Sequence, residues 1–451
     1  PFAISQTAMT QITTAQVLQL APDDSSIKAA KSLGIAKWPL LAFNGQAVWG
    51  HCQGSGKNPY QTAADLSDFT TKCSCPSRKF PCKHGLALLL HFAEQQGKFT
   101  ADAPSPDWVA EWLEKRGKAQ EKRAAKAAGE EAKAADPAEQ QKRAAARLKK
   151  VKAGMADLRL WLNDVLRNGL MHLDHDKSAL YDMAKRMVDA QSPAVSGQLQ
   201  QLAALPVQSH EEMLYRLGKL HLITQALEKL DTLPQDWQDE IRARIGFPVS
   251  RDSVLQQPPQ QDEWISIGVT SEEIERGRAD SYWLYGKNSR RFACILEFVI
   301  KGAPAAAPAV LAGSAYDGAL CFYPGVHNLR ALAQDWQIKD EAGPEAAAPL
   351  QAAWQKMLEE YAANPLQAHL PFFAANLTLL KKDGRFALSG EGFLLPVALD
   401  EKQHMELLLA CEDRPFSAFL LHDFNRRQTD ILSCIGRNGR PKLLSQEKIS
   451  V

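Results

Sequence analysis

The stretch KCSCPSRKFPCKH, residues 72–84, holds three cysteines and one histidine in a chain of 451 residues that contains eight cysteines in all. A closed structural zinc site takes four sulfur or nitrogen ligands arranged as a tetrahedron. The side chains of Cys73, Cys75, Cys82 and His84 supply that number. We therefore predict that these four residues bind one Zn²⁺ ion, and that this site organises the N-terminal part of the fold.

The spacing of the four residues suits ligands from two neighbouring elements. In a strand, alternate side chains point to the same face, so Cys73 and Cys75 would reach one ion together. Cys82 and His84 flank the point where a loop enters a predicted helix, whose first turn would bring the imidazole back toward the thiols. Binding free energy at such a site becomes folding free energy, so we expect the metal to serve as the local core.

The same stretch allows other interpretations. The cysteines would be reduced thiols without a metal, or the zinc would be catalytic. We disfavour catalysis because four protein ligands leave no position for water, and no glutamate lies beside the cysteines as a general base. His91, Cys52 and His51 are nearby in sequence, but we expect them to take no part in the site.

The residues around the cluster have the patterns of two hairpins and a helix. Asn44-Gly45 lies between two apolar stretches, which is the strongest short signal for a hairpin. Residues 60–73 alternate, turn and return as a second hairpin, and apolar residues recur at helical spacing over 86–93. We predict a zinc-stapled β-hairpin and helix module within an N-terminal zinc finger domain at residues 1–107.

A change of composition follows this module. Between Leu113 and Leu148 the chain has no Val, Ile, Leu, Met, Phe, Trp or Tyr, and such a stretch cannot bury a core. We predict a charged, Ala/Lys/Glu-rich helical linker at residues 108–150. Apolar residues then recur at helical spacing, which predicts a helical bundle at residues 151–260.

Strand patterns dominate the remaining sequence. In FACILEFVI, residues 292–300, the alternation places Phe292, Cys294, Leu296, Phe298 and Ile300 on one face. Several other stretches have the same character. We predict a mixed, antiparallel α+β C-terminal domain at residues 261–451, and a multidomain α+β fold for the whole chain.

A basic cluster with one aromatic ring surrounds the cysteines. The predicted contact residues are Lys57, Lys72, Arg78, Lys79, Phe80 and Lys83. Lysines and arginines of this kind bind nucleic-acid phosphates, and Phe80 would stack on bases or insert between them. An acidic protein surface would satisfy the same charges. The sequence therefore leaves DNA and a protein partner both open.

The composition is that of an ordinary globular protein, with 45% hydrophobic residues, 23% charged residues and a formal net charge of +1. No stretch approaches eighteen uninterrupted apolar residues and no signal-like segment is present, so we expect a cytoplasmic protein without membrane association. No Ser-His-Asp set, nucleophile elbow or dinucleotide fingerprint occurs. We expect a protein that is not an enzyme and has no small-molecule substrate.

The arrangement Cys-x-Cys, a loop and Cys-x-His, preceded by a strand and followed by an apolar helix, resembles the SWIM zinc finger. The similarity to bacterial SWIM proteins of this length extends through WGHCQGSGKNPY, residues 49–60, and AKRMVDAQ, residues 184–191. In that family the four matching positions bind zinc. The resemblance implies DNA binding or protein–protein contacts. It also implies an adaptor or scaffold role in an assembly with a MoxR-type AAA+ ATPase and a von Willebrand factor A domain protein.

Overall fold

The chain has three parts, which are an N-terminal sheet with helices, a helical bundle and a C-terminal pair of sheets. The computed structural model describes residues 12, 14–21, 24–54, 58–66, 69–77, 79–117, 137–171, 173, 176–207, 209–274, 277–300, 310–339, 343–344, 347–412, 414–436 and 439–444. Lys57 and Arg78, two of the predicted contact residues, lie outside this described part.

The N-terminal part is a four-stranded antiparallel sheet in the order β1-β2-β3-β4, covered by helices. Its elements are α1 (Thr14–Gln19), α2 (Asp24–Lys31), β1 (Leu40–Phe43), β2 (Ala47–Cys52), β3 (Tyr60–Asp65), β4 (Thr71–Cys73), α3 (Lys83–Glu94) and α4 (107–117). Both predicted hairpins are confirmed. At the first turn the Asn44 side chain accepts hydrogen bonds from the amides of Gln46 and Ala47, which fixes the reversal of the chain.

Apolar side chains cover both faces of this sheet. On one face Trp38, Val48, Leu86 and Leu89 belong to a buried cluster shared by the sheet, α1, α2 and α3. On the other face Val109 of α4 packs against the sheet with its neighbouring tryptophans. The expectation that the metal is the local core is therefore wrong, because apolar burial already supplies a core. The start of the predicted linker at 108–150 packs on the sheet.

The second part is a bundle of helices with a continuous apolar interior. Its helices are α5 (Pro137–Asn168), α6 (Ser178–Asp189), α7 (Pro193–Ala203), α8 (His210–Glu228), α9 (Gln235–Ile245) and α10 (Arg251–Leu255). Leu158, Leu180, Leu199 and Leu220 meet in its core, one from each of the first four helices, and each is fully buried. Because α5 runs from the predicted linker into the bundle, no break in secondary structure marks residue 150.

The C-terminal part consists of two antiparallel sheets that pack against each other. The first sheet has the order β7-β6-β5-β8-β9, and the second has the order β13-β12-β11-β14-β15-β16 with a short parallel strand beside β11. The elements are β5 (Gln260–Ile274), β6 (Gly277–Gly286), β7 (Phe292–Ile300), β8 (Ala315–Phe322), β9 (Ala331–Lys339), β10 (Ala348–Pro349), α11 (Leu350–Ala363), β11 (His369–Lys382), β12 (Arg385–Gly390), β13 (Phe393–Val397), α12 (Glu401–Cys411), β14 (Phe416–Asp423), β15 (Gln428–Ile435) and β16 (Pro441–Leu443).

Strand β7 spans the predicted residues, and its regular pairing with β6 places Phe292, Cys294, Leu296, Phe298 and Ile300 on one face, as predicted. Ala293, Cys294 and Ile295 are all buried, because the two faces of this half of the strand pack into different clusters. Phe298 and Ile300, at the other end of the strand, are more than half exposed. A strand that packs on both faces has no alternation of buried and exposed residues, although its side chains still alternate between the faces.

The three parts contact one another through buried side chains. Leu311, from the C-terminal part, lies in the N-terminal core, and Leu366 lies in the core of the bundle. The predicted α+β class, with a helical middle and an antiparallel C-terminal part, is confirmed. Among the described residues, none of the helices has the length and apolar character needed to cross a membrane.

Candidate metal centre

The four predicted ligands come from the end of β4, the loop after it and the start of α3. Cys73 is the last residue of β4, and Cys75 lies in the bend that follows. Cys82 is the N-cap of α3, with an extended backbone, and His84 lies in the first turn of that helix. The sheet and the helix pack directly against each other, so the four side chains meet at one corner, which we call the zinc corner (residues 73–84).

The donor atoms of Cys73, Cys75, Cys82 and His84 all lie within 4.8 Å of one another. A tetrahedral zinc with sulfur at about 2.3 Å and nitrogen at about 2.0 Å separates neighbouring donors by about 3.5–3.8 Å. The Cys73 Sγ and His84 Nδ1 atoms are 3.7 Å apart, within that range. Three thiols and one imidazole are also the donors that structural zinc prefers, so the arrangement fits Zn²⁺.

Hydrogen bonds prepare Cys73 to act as a thiolate. A hydrogen bond from the Cys82 thiol lowers the pKa of Cys73 to about 4, although burial opposes this, and His84 and Thr62 contribute further hydrogen bonds. The same hydrogen bond with Cys73, together with burial, raises the pKa of Cys82. Burial also raises the pKa of Cys75. Metal binding must therefore release protons from the cluster, which makes the affinity depend on pH.

Two residues that sequence reasoning missed hold the sulfurs in place. The Thr62 hydroxyl lies 3.3 Å from Cys73 Sγ, because Thr62 and Cys73 are paired directly across β3 and β4. The Gly85 amide donates to Cys82 Sγ at 3.5 Å, and the helix N-terminus favours a negative sulfur there. A Cβ at Gly85 would lie 2.8 Å from the Thr71 hydroxyl, so only glycine lets α3 approach β4 this closely.

The signal for Thr62 was present in the sequence. Counting back along both arms from the turn at residues 65–70 places Thr62 opposite Cys73, and a hydroxyl there is a natural hydrogen-bond partner for a thiolate. The ring of Tyr60, on the same strand, lies 4.9 Å from the His84 ring, centroid to centroid, and limits its orientation. Nothing in the sequence pattern indicates that contact.

The alternative ligands lie elsewhere. His91 is within hydrogen-bond distance of the Leu33 carbonyl, with 2.7 Å between Nε2 and the oxygen, inside the N-terminal core. Cys52 is fully buried in that core, and burial raises the pKa of its thiol to about 11. His51 has its ring near Trp108, with centroids 6.5 Å apart. These contacts are structural and leave the four predicted residues as the metal-ligand set among the described residues.

The described members of the predicted contact set lie in different places. Lys79 and Lys83 are exposed beside the zinc corner and line a common cleft. Phe80 is 41% exposed in the zinc loop. Lys72 instead contacts α4, where its ammonium donates to the Trp108 carbonyl at 3.3 Å and lies 5.9 Å from the centre of the Trp108 ring. The structure thus brings two of the predicted lysines together and directs a third elsewhere.

Family models match two parts of the chain. Residues 56–93 match the SWIM zinc finger, and residues 146–245 match the SWIM-associated four-helix bundle domain. The first range contains the zinc corner, and the second runs from within α5 to the end of α9. None of the curated proteins and none of the solved structures with which the chain was compared matches it.

Proposed function

Because this chain is a zinc-binding SWIM-domain protein, we propose that it acts as a non-catalytic protein-interaction adaptor or scaffold. The observation that carries the proposal is the complete set of four protein donors at the zinc corner. Such a set leaves no coordination position for water or substrate, so a bound zinc would fix structure and would not activate a nucleophile. Its task is to hold the loop between β4 and α3 in one conformation.

The surroundings of the zinc corner support a binding role. The loop places Lys79 and Phe80 at the surface, and aromatic residues are enriched in protein contact surfaces. The bundle and the paired sheets give the adaptor further surface for a second partner. We extend the proposal to a cytoplasmic assembly with a MoxR-type AAA+ ATPase and a von Willebrand factor A domain protein, the partners that the SWIM resemblance implies.

The test is affinity purification of the tagged full-length chain from its native host, followed by mass spectrometry. We expect a specific protein partner to co-purify with the wild-type chain and to be reduced in the Cys82→Ala variant. Recovery of the bare chain after mild cross-linking would contradict the adaptor proposal. The Cys321→Ala variant is the matched control, since Cys321 lies in β8 of the C-terminal part, outside the zinc corner.

A second candidate is DNA binding through the zinc finger and the basic linker. The observation that favours it is the proximity of Lys79, Lys83 and the exposed Phe80. The test is a mobility-shift titration with the wild-type chain and with Arg78, Lys79 and Lys83 changed to alanine. If the wild-type chain shifts the DNA and the variant does not, the result supports DNA binding. Equal affinities would exclude this surface as the DNA-binding site.

A further inference from the structure

An open cleft of about 870 Å³ lies beside the zinc corner. Helix α2 contributes Ala29 to its lining, and the 3₁₀ turn Ile35–Lys37 contributes Ala36 and Lys37. The zinc loop and the start of α3 contribute Lys79 and Lys83. Its volume is within the range of about 300–1,000 Å³ that is usual for ligand sites. The cleft therefore combines three cations with an apolar patch.

Among the described residues that line the cleft, the permanently charged side chains are all lysines. Lys37, Lys79 and Lys83 all lie in its lining, and the described residues that line it include no aspartate or glutamate. Ser26 and Gln53 add hydrogen-bonding groups to the same lining. A single inorganic anion would occupy only a small part of this volume and would not use the apolar patch. The lining instead suits an extended segment that carries several carboxylates and some aliphatic side chains.

Nucleic acid fits the cleft less well than an acidic peptide. Among the described residues in the lining, the aromatic rings are those of Tyr60 and His84, and these two rings already pack on each other. Base stacking on aromatic rings is a main source of affinity for single-stranded nucleic acids. The ring face of Tyr60 that contacts His84 is not accessible to a base. The chain as a whole has a net charge of +1 and a pI of about 7.9, so it lacks the broad basic field of many nucleic-acid-binding domains.

We propose that this cleft binds an acidic, extended peptide segment of a protein partner, an inference that rests on the adaptor function proposed above. The carboxylates of the segment pair with Lys37, Lys79 and Lys83, and its aliphatic side chains lie on Ala29 and Ala36. The cleft also depends on the zinc corner, because Cys75 and His84 are part of its lining. Lys79 donates to the Ser25 hydroxyl at 3.0 Å, which joins the zinc loop to α2 across the cleft.

The experiment is a fluorescence-anisotropy titration of the zinc-loaded full chain with a short fluorescein-labelled peptide in which glutamates alternate with leucines. The test variant changes Lys37, Lys79 and Lys83 to alanine. The matched control changes Lys28, Lys31 and Lys98 to alanine, which are exposed lysines outside the cleft and alter the net charge equally. We expect the affinity to fall at least about tenfold in the test variant and less than about twofold in the control.

Three results of the binding titrations would overturn the proposal. They are an equal loss in both lysine variants, equal binding of a peptide in which glutamine replaces glutamate, and cleft-dependent binding of a single-stranded oligonucleotide in place of the peptide. Zinc content measured on each variant verifies that the fold is intact. The adaptor function is tested separately. If a partner still co-purifies with the cleft variant, the cleft proposal fails and the adaptor stands. If the peptide binds in the cleft but no partner co-purifies, the adaptor fails alone.

Discussion

Ionisable side chains lie away from solvent both at the zinc corner and in a polar cluster at the end of β14. We call the second region the β14 cluster (His422, Asp423, Thr429 and Asp430, with His369 beside them). The two regions pair their polar atoms in different ways. In the β14 cluster the Asp423 carboxylate accepts hydrogen bonds from the amides of Asn425 and Arg426, and His422 Nδ1 lies 2.9 Å from the Thr429 hydroxyl. These polar groups have partners within the chain. At the zinc corner three sulfurs and one imidazole nitrogen face one another.

The comparison shows what distinguishes a metal site from an ordinary buried polar network. In the β14 cluster, donors lie opposite acceptors, so these hydrogen bonds form without an ion. At the zinc corner, electron-pair donors converge on one point, and the deprotonated thiolates repel one another unless a cation lies between them. We therefore expect metal removal to destabilise the zinc corner. We expect acid to destabilise the β14 cluster by protonating a histidine.

The largest expected effect follows from breaking the zinc corner with Cys82→Ala. Structural zinc contributes about 10–16 kcal/mol in small finger peptides, so loss of even a quarter of that amount would cost about 3 kcal/mol. We expect zinc to fall from one ion per chain to none, and hydrogen exchange to rise across residues 72–84. Because the N-terminal sheet has its own apolar core, exchange in β1 and β2 should rise less. Elemental analysis and exchange mass spectrometry measure both effects.

Cys52→Ala is the matched control for that experiment. Cys52 is a fully buried cysteine of the same sheet that makes core contacts and lies outside the ligand set. This variant should be less stable but should keep one zinc per chain. Retention of full zinc content by Cys82→Ala, or loss of zinc from Cys52→Ala, would contradict the assignment of the ligands.

The next effect concerns pH and the β14 cluster. Burial lowers the pKa of His422 from 6.5 to about 4. The charge of Asp423 opposes this shift, and the charge of His369 adds to it. The unfolded chain then binds a proton between pH 6.5 and 4 that the folded chain does not. This contribution to stability is complete above pH 6.5 and decreases as the pH falls toward 4, by at most about 3 kcal/mol. Hydrogen exchange in β14 at several pH values measures the decrease.

The His422→Asn variant isolates this contribution. Asparagine offers the Thr429 hydroxyl an acceptor but does not titrate in this range. Hydrogen bonds and the charge of His369 lower the pKa of Asp423 to about 2 against the effect of burial, so that residue stays ionised throughout the window. Burial raises the pKa of Asp430. Its contribution to stability therefore changes with pH in the opposite direction to that of His422, and it is present in both the wild type and the variant. An equally steep acid dependence in the variant would show that another group is responsible.

The same comparison explains which features could be predicted from the sequence. The ligands of the zinc corner lie within thirteen consecutive residues, so spacing alone brought Cys73, Cys75, Cys82 and His84 together. The members of the β14 cluster come from β11, β14 and β15. Strands β14 and β15 form a local hairpin, whereas β11 pairs with β14 from a distant part of the sequence. Local patterns carry no information about the pairing of β11 with β14, and the sequence interpretation did not anticipate the cluster.

The extent of the N-terminal core was missed for a related reason. Leu311 enters that core from more than 200 residues downstream, and the alternation around Trp49 gave no sign that α4 covers the second face. The sequence interpretation therefore assigned to the metal the role of the local core, which apolar burial already fills. In β7 the predicted face is present, but the sequence pattern did not indicate that the opposite face is also buried between Ala293 and Ile295.

The smallest expected effect concerns the hydroxyl beside the zinc corner. Thr62→Val removes the contact with Cys73 Sγ while keeping a β-branched side chain on β3. Residues that hydrogen-bond to metal ligands typically change affinity by about 10–100-fold, and we expect about tenfold weaker zinc binding in a competition titration with a chromophoric chelator. Thr62→Ser, which keeps the hydroxyl, should bind zinc nearly as the wild type does.

Thr429→Val removes the corresponding hydroxyl of the β14 cluster and should leave zinc affinity unchanged. Equal affinity of Thr62→Val and the wild type would mean that the sulfur needs no such partner, and that the four ligands alone determine zinc affinity.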